Sequence, residues 1–395
     1  MARVLLVNEM GEGLGHVTRL LRVALALREQ GHEPWMVLND LTRAEVVLGA
    51  KGVPAVQCPL WMLRAAGLPP MRNYTDIMMR FGFLDRVGLR GLVRAWHQLL
   101  ALLRPSLILL EHSPLATFAT RDRGVPRVRL GTGFCCPPLQ TPMPTLAWWA
   151  SQPSPFDEVG ERNVVKVANE VSSDLGMERV GSVAHLLRTE GEFLCTFPEL
   201  DHYRGRQDAS YEGPVFGDGG GAALPLPPGD DPCAFVYLSI EYPHLEALVR
   251  ALDRGAFRAL IHVPGLAPVR AAALSGIRVR FTPTVIPLNQ AGRDCAFAIT
   301  HGGYGTTNSL LLHGRPQLLL TRHMEQMMHA RRAEELGAAV AIDPAPGAPD
   351  FDDALKRLLQ DDRHERSAIA FAAAHRDYDS AATATSLAAR CQEWL

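Results

Sequence analysis

Short continuous apolar runs alternate along the chain with stretches whose apolar residues recur every third or fourth position. RVLLVN (3–8) is a run of the first kind, as expected for a strand covered on both faces of a parallel sheet. The glycine-containing segment after it leads into HVTRLLRVALALREQG, which keeps helical spacing and ends on a capping Gly31. EPWMVLN (33–39) predicts the next strand and RAEVVLGAKG the next helix. LVRAWHQLLALL predicts a helix stopped by Pro105, SLILLE (106–111) a strand, PLATFATRDRG a helix and PRVRLGT a strand. Residues 214–232, PVFGDGGGAALPLPPGDDP, lose all periodicity and carry glycine and proline at linker density. The alternation then resumes through CAFVYLS, PHLEALVRAL, FRALIHV, IRVRFT, CAFAIT, TNSLLLHG, PQLLLT, EQMMHARRAEELG and AAVAID. Repeated strand–helix units imply parallel, doubly wound sheets. The expectation is an α/β protein with an N-terminal domain at 1–213, a linker at 214–232 and a C-terminal domain at 233–395. The segment from Phe351 reads as helical, and its last helix is expected to pack back on the N-terminal domain.

Charge narrows the partners. The 395 residues carry 40 Lys and Arg against 42 Asp and Glu, a formal net charge of −2. No nucleic acid or anionic membrane would be held by bulk electrostatics. The seven cysteines are scattered without a CxxC pair, so neither a disulfide framework nor a zinc motif is indicated, and a reducing cytoplasm is the expected home. The first apolar run is too short for a secretory signal or a membrane span, and no integral membrane segment is expected.

The candidate chemistry lies in the glycine loops. In open α/β sheets ligands bind outside the carboxyl ends of the strands, and both halves place glycines there. In HGGYGTTNSLLLHG (301–314) a strand delivers His301, and Gly302, Gly303 and Gly305 precede a helix. Free amides at a helix start attract phosphate, and bare glycines let it approach. Thr306 and Thr307 add hydroxyls, and the His301 ring can donate, so a diphosphate is the expected ligand. A purely structural set of turns is one competing reading. The other is a dinucleotide fingerprint, since GEGLGH (Gly11, Gly13, Gly15) follows the first strand and Asp40 ends the second, although His16 stands at the sixth position.

HGGYGTTNSLLLHGRPQLLLTRHMEQMMHARRAEELGA (301–338) resembles the donor-binding signature of family 1 glycosyltransferases of the GT-B fold, which include macrolide, glycopeptide and UDP-sugar transferases. GLGH before an apolar helix resembles that family's Gly-His turn, and RPSLILLEHSP its strand ending in an acid. The resemblance implies two doubly wound, Rossmann-like domains facing across a cleft, the first binding the acceptor and the second the nucleotide sugar. It implies that His301 and the amides of Gly303 to Thr306 hold the diphosphate. Glu325 and Gln326 would bond the sugar hydroxyls, and Thr284 and Val285 in TPTVIPL (282–288) would meet the base. His16 matches the catalytic base, which takes the acceptor's proton as the oxygen attacks the anomeric carbon with inversion. Glu111 stands where the family usually has Asp to orient that histidine; His112 beside it is the obvious decoy. Ser309 replaces the acid of many UDP-sugar members and leaves the nucleotide open between UDP and dTDP. Glu241 would repel a phosphate from the loop after FVYLS.

Between 61 and 83, Trp61, Met62, Met71, Tyr74, Met78, Met79, Phe81 and Phe83 suggest either an adaptable acceptor wall for a small hydrophobic molecule or ordinary core; Trp148 and Trp149 could join that wall. No DxD motif stands at a strand end, so no metal and no cofactor beyond the nucleotide sugar is expected. The resemblance thus implies an inverting, metal-independent glycosyltransferase. A nucleotide-sugar epimerase of the same fold and a dinucleotide-dependent oxidoreductase are the alternatives.

Overall fold

The computed structural model describes the chain except at 12, 64–66, 69, 151–154, 208, 218 and 219, and gives the backbone alone at 155, 156 and 361. Residues 218 and 219 of the expected linker therefore lie outside the described residues. The chain divides into two units, one of residues 1–216 with 379–395, the other of residues 217–378.

In unit 1 the apolar runs become β1 (Arg3–Asn8), β2 (Glu33–Leu38), β3 (Ala55–Gln57), β4 (Leu107–Glu111), β5 (Arg127–Gly131) and β6 (Gly191–Leu194). They form one parallel sheet in the order β3-β2-β1-β4-β5-β6, with Asn8 in register with Glu111. Helices cover both faces of such a sheet, so its central strands have no polar side to show. All five residues of β4 are buried. The helix Leu14–Glu29 buries Val17, Leu20, Val23, Ala24 and Leu27, and the helix Ser380–Arg390 adds Ala384, Leu387 and Ala388 to the same core. Each fully buried aliphatic side chain contributes about 1.5–3 kcal/mol relative to exposure.

Unit 2 repeats the plan with β7 (Cys233–Tyr237), β8 (Arg258–His262), β9 (Val279–Thr282), β10 (Phe297–Thr300), β11 (Gln317–Leu320) and β12 (Ala339–Ile342), ordered β12-β11-β10-β7-β8-β9 and again parallel. Within the segment 214–232, Val215 belongs to the core of unit 1, while Leu224 and Leu226 pack on that of unit 2. Both sheets are doubly wound, the GT-B type of α/β unit. The direction of winding reverses between β1 and β4 in one sheet and between β10 and β7 in the other. Such reversal points open a crevice above the carboxyl ends of the two strands. Among the described residues no helix is long and apolar enough to cross a membrane.

Candidate active site

At the reversal point of unit 1, β1 leads into a glycine turn and β4 ends on Glu111. Gly11 and Gly13 have φ of 108° and 89°, conformations that a side chain resists. Gly11 has a second reason to be glycine: a Cβ there would lie 2.4 Å from His16 Nε2. Gly15 carries neither constraint. His16 stands in the first turn of the helix Leu14–Glu29, 7% exposed, with Nδ1 2.7 Å from Glu111 Oε1. Arg19, one turn along the same helix, donates from Nη1 to that oxygen at 2.6 Å. Asn8 Nδ2 donates to Glu111 Oε2 at 2.7 Å, and Cys135 Sγ lies 3.5 Å from Oε1.

Burial of the Glu111 carboxyl alone would raise its pKa. The His16 charge and hydrogen bond and the Arg19 guanidinium overcome this and bring it down to about 2. An ionised carboxylate only accepts, so His16 Nδ1 carries a proton and donates it to Glu111, leaving Nε2 as the outer nitrogen of the ring. That nitrogen lies beside Gly11. His16, Glu111 and Cys135 offer three ligand-type atoms within 4.8 Å of one another. The guanidinium already on Oε1 supplies the positive charge, and a second cation there would be repelled.

His112, the decoy, has φ of 45° and sets its ring centroid 6.1 Å from that of His16. Tyr74 lies 5.9 Å from it and Phe134 5.4 Å, and Phe134 in turn is 6.0 Å from His202. Of the expected acceptor wall, Tyr74 joins this aromatic group, and at 2% exposed it too is buried rather than lining an open surface. Phe83 is a correction: it is fully buried against Phe118, where β-sheet and helix faces leave room only for core. Trp61 lies over Gly82 and Gly88, where a Cβ would come within 2.7 and 2.3 Å of its ring, and anchors its own loop. Met62, Met71 and Phe81 are exposed, and Trp148 packs edge-on to Trp149 under Arg204. Phe134 and His202 were not singled out by the sequence because no periodic pattern marks their loops. Buried Glu9, next to the turn, accepts from the amides of Leu115 and Ala116, and burial pushes its carboxyl up to about 8. Asp40 caps the helix Leu41–Leu48 through the Arg43 amide at 3.1 Å rather than standing ready for a ribose.

At the reversal point of unit 2 the His301 ring is held from two sides. Nδ1 donates to the Leu320 carbonyl at 2.6 Å, and Nε2 accepts from the Ser239 amide at 2.9 Å. Burial lowers its pKa to about 4, so the ring is neutral near pH 7. This corrects the expectation of a ring donor: the imidazole ties β10 to its neighbours, and its nitrogens are engaged. Thr307 is a second correction, because it is fully buried and its amide bonds the Gly303 carbonyl at 2.9 Å. Gly302, with φ of 74°, makes the turn, and the helix Tyr304–Leu312 starts at Gly303 without a side-chain cap. Gly303, Gly305 and Thr306 remain partly exposed. Ser309 is buried, facing the interior of the unit.

Glu325 and Gln326 occupy the first turn of the helix Met324–Glu335, and Gln326 Oε1 accepts from the Arg322 amide at 3.0 Å. Glu241 is ion-paired with Arg322, which offsets the charge expected to repel phosphate. Thr284 and Val285 are exposed; Gly221 lies against the Val285 carbonyl, where a Cβ would come within 2.0 Å of the oxygen.

Residues 258–393 match the family model for the erythromycin biosynthesis protein CIII-like C-terminal domain. The 3-alpha-mycarosylerythronolide B desosaminyl transferase of Saccharopolyspora erythraea is 31% identical over 84 residues, which are 21% of this chain and 20% of that protein. The chain thus spans about a fifth of that curated relative's length. Among solved structures, glycosyltransferase VinC in complex with dTDP superposes with a TM-score of 0.68 at 17% identity, covering 99% of both chains. Spinosyn rhamnosyltransferase SpnG complexed with spinosyn aglycone gives 0.66 at 18% identity, covering 98% of this chain and 100% of that one. The segment 258–393 is therefore similar to the erythromycin biosynthesis protein CIII-like C-terminal domain, and the chain has the GT-B fold of these solved structures.

Proposed function

We propose that the chain is an inverting glycosyltransferase that moves a sugar from a nucleoside-diphosphate sugar to a hydroxyl of a small, hydrophobic acceptor. The observation that carries this is the buried His16–Glu111 pair at 2.7 Å, with His16 Nε2 beside Gly11, which brings no side chain against it. His16 Nε2 takes the acceptor's hydroxyl proton while the oxygen forms its bond to the anomeric carbon on the face opposite the diphosphate. The anomeric carbon–oxygen bond breaks, and the nucleoside diphosphate leaves with the electron pair. Glu111 stabilises the imidazolium that results.

Unit 2 holds the donor. With the His301 ring neutral and engaged, the leaving diphosphate relies on the backbone amides at the start of the helix Tyr304–Leu312. Gly13 and Gly15 act from unit 1 on the same donor, and Glu325 and Gln326 accept from and donate to the sugar hydroxyls. Thymidine diphosphate is the favoured nucleotide: Ser309 brings no acid for a ribose 2′-hydroxyl, and VinC was solved with dTDP. An apolar acceptor is in keeping with the spinosyn aglycone bound by SpnG. The protein acts in the cytoplasm without a metal.

A donor screen read by mass spectrometry, with dTDP- and UDP-sugars against macrolide, polyketide and flavonoid acceptors, tests the reading. His16→Ala abolishes transfer and leaves dTDP affinity nearly unchanged. Loss of both together would assign His16 to donor binding instead.

A further inference from the structure

A buried carboxylate beside an imidazole poses a difficulty for a base. An isolated anion at 2.7 Å favours the protonated ring, and a ring already protonated takes nothing from an acceptor. The described surroundings of His16 resolve this. Glu111 comes from β4, Arg19 from the same helix as His16, Cys135 from the segment after β5, and His112 from the turn after β4. Residues three apart on a helix share a face, so Arg19 and His16 reach the same Glu111 oxygen, at 2.6 and 2.7 Å. Asn8 Nδ2 fixes the other oxygen. The Arg19 side chain is 5% exposed and Glu111 fully buried, so water does little to screen the pair. Within the cluster the Arg19 guanidinium and the Glu111 carboxylate offset each other, and Cys195, which also feels both, and His112 stand beside them. Protonating His16 would leave a buried excess of one positive charge.

The geometry points to Arg19 as a positioning residue that, by sharing the Glu111 carboxylate with His16, keeps the imidazole unprotonated and ready to act as the base. This rests on the glycosyl-transfer reading for its consequence, though not for its measurement. Arg19→Gln removes the charge, whereas Arg19→Lys keeps it.

The test follows the ring nitrogens of His16 by NMR in the 15N-labelled full-length protein, its signals assigned by their loss in His16→Gln. Arg19→Gln raises the His16 titration midpoint by about one unit or more, and Arg19→Lys by less than half of that. In transfer assays the acid limb of kcat/KM moves upward by the same amount, so activity lost at neutral pH returns in alkaline buffer. A merely structural role would lower activity at every pH and leave both midpoints in place; that result overturns the proposal. Should Arg19→Gln fail to fold, Arg19→Met, of similar length and without charge, gives the same readout. If the wild-type protein transfers no sugar while the NMR midpoint still moves, the reading as a transferase falls and the role of Arg19 stands.

Discussion

Replacing Gly11 with alanine strikes the site where it has least room. The new methyl would stand 2.4 Å from His16 Nε2 and 2.6 Å from Cδ2. Relaxing to an ordinary contact of about 3.5 Å makes the ring withdraw by about 1 Å. It cannot withdraw in place, because Glu111 holds Nδ1 at 2.7 Å and Glu111 is itself held by Arg19 and Asn8. Misplacing a reacting atom by about 1 Å costs about 100-fold in rate. The expected result is a fall of about 100-fold in kcat/KM, read beside the dTDP affinity of the same variant. The backbone at φ of 108° adds strain on top, about 1–2 kcal/mol for a residue with a Cβ, read as a lower Tm. Initial rates by mass spectrometry beside calorimetric titration with dTDP separate the two effects. A variant that keeps more than about a third of wild-type kcat/KM would refute the argument that Nε2 lies against Gly11.

Three further outcomes are expected. Glu9, with its carboxyl raised from 4.5 to about 8, is protonated in the folded chain and ionised in the unfolded one between those values, so its effect on stability worsens as pH rises through that window. Glu9→Gln therefore gains up to about 3 kcal/mol at pH 7 and nothing near pH 4 in urea unfolding; an equal gain at both pH values contradicts the burial argument. Glu111, depressed from 4.5 to about 2, contributes stability that is fully present above 4.5 and lost as pH falls toward 2. The stability gap between wild type and Glu111→Gln should hold from pH 7 to 5 and close by pH 2, and a gap that persists there would count against an ionised Glu111. Transfer should survive EDTA within about two-fold, since helix-start amides offset the leaving charge; a strict divalent requirement would remove that part of the mechanism.

The parallel sheets could be read from the chain because a strand buried on both faces has nowhere to hide a polar residue, as RVLLVN and SLILLE show. Glu111 was legible for a related reason, since it ends such a strand where polar groups are not needed for packing, and His16 follows the glycine turn after another. Arg19 was not, because a single cation in an amphipathic helix reads as solvated surface, and its partner lies 92 residues away in sequence. The His301 ring was misread through the same blindness to distant partners, with Leu320 19 and Ser239 62 residues away. Thr307 shows a finer limit. A hydroxyl in the first turn of a helix can point to a ligand or to the sheet below, and only the packing of Gln317, which donates to the Thr307 carbonyl at 2.9 Å, decides which. Phe83 belongs with it, since methionine and aromatic clusters have the same composition whether they line a pocket or fill a core.

The helix Ser380–Arg390 completes unit 1 after the chain has already traced the whole of unit 2. On a ribosome, the β-sheet that ends on Glu111 emerges first yet waits with Leu20 and Leu27 uncovered, while unit 2 has every residue it needs to close. Assembly of this protein therefore runs against the order of its sequence, and unit 1 is the part a chaperone would meet open.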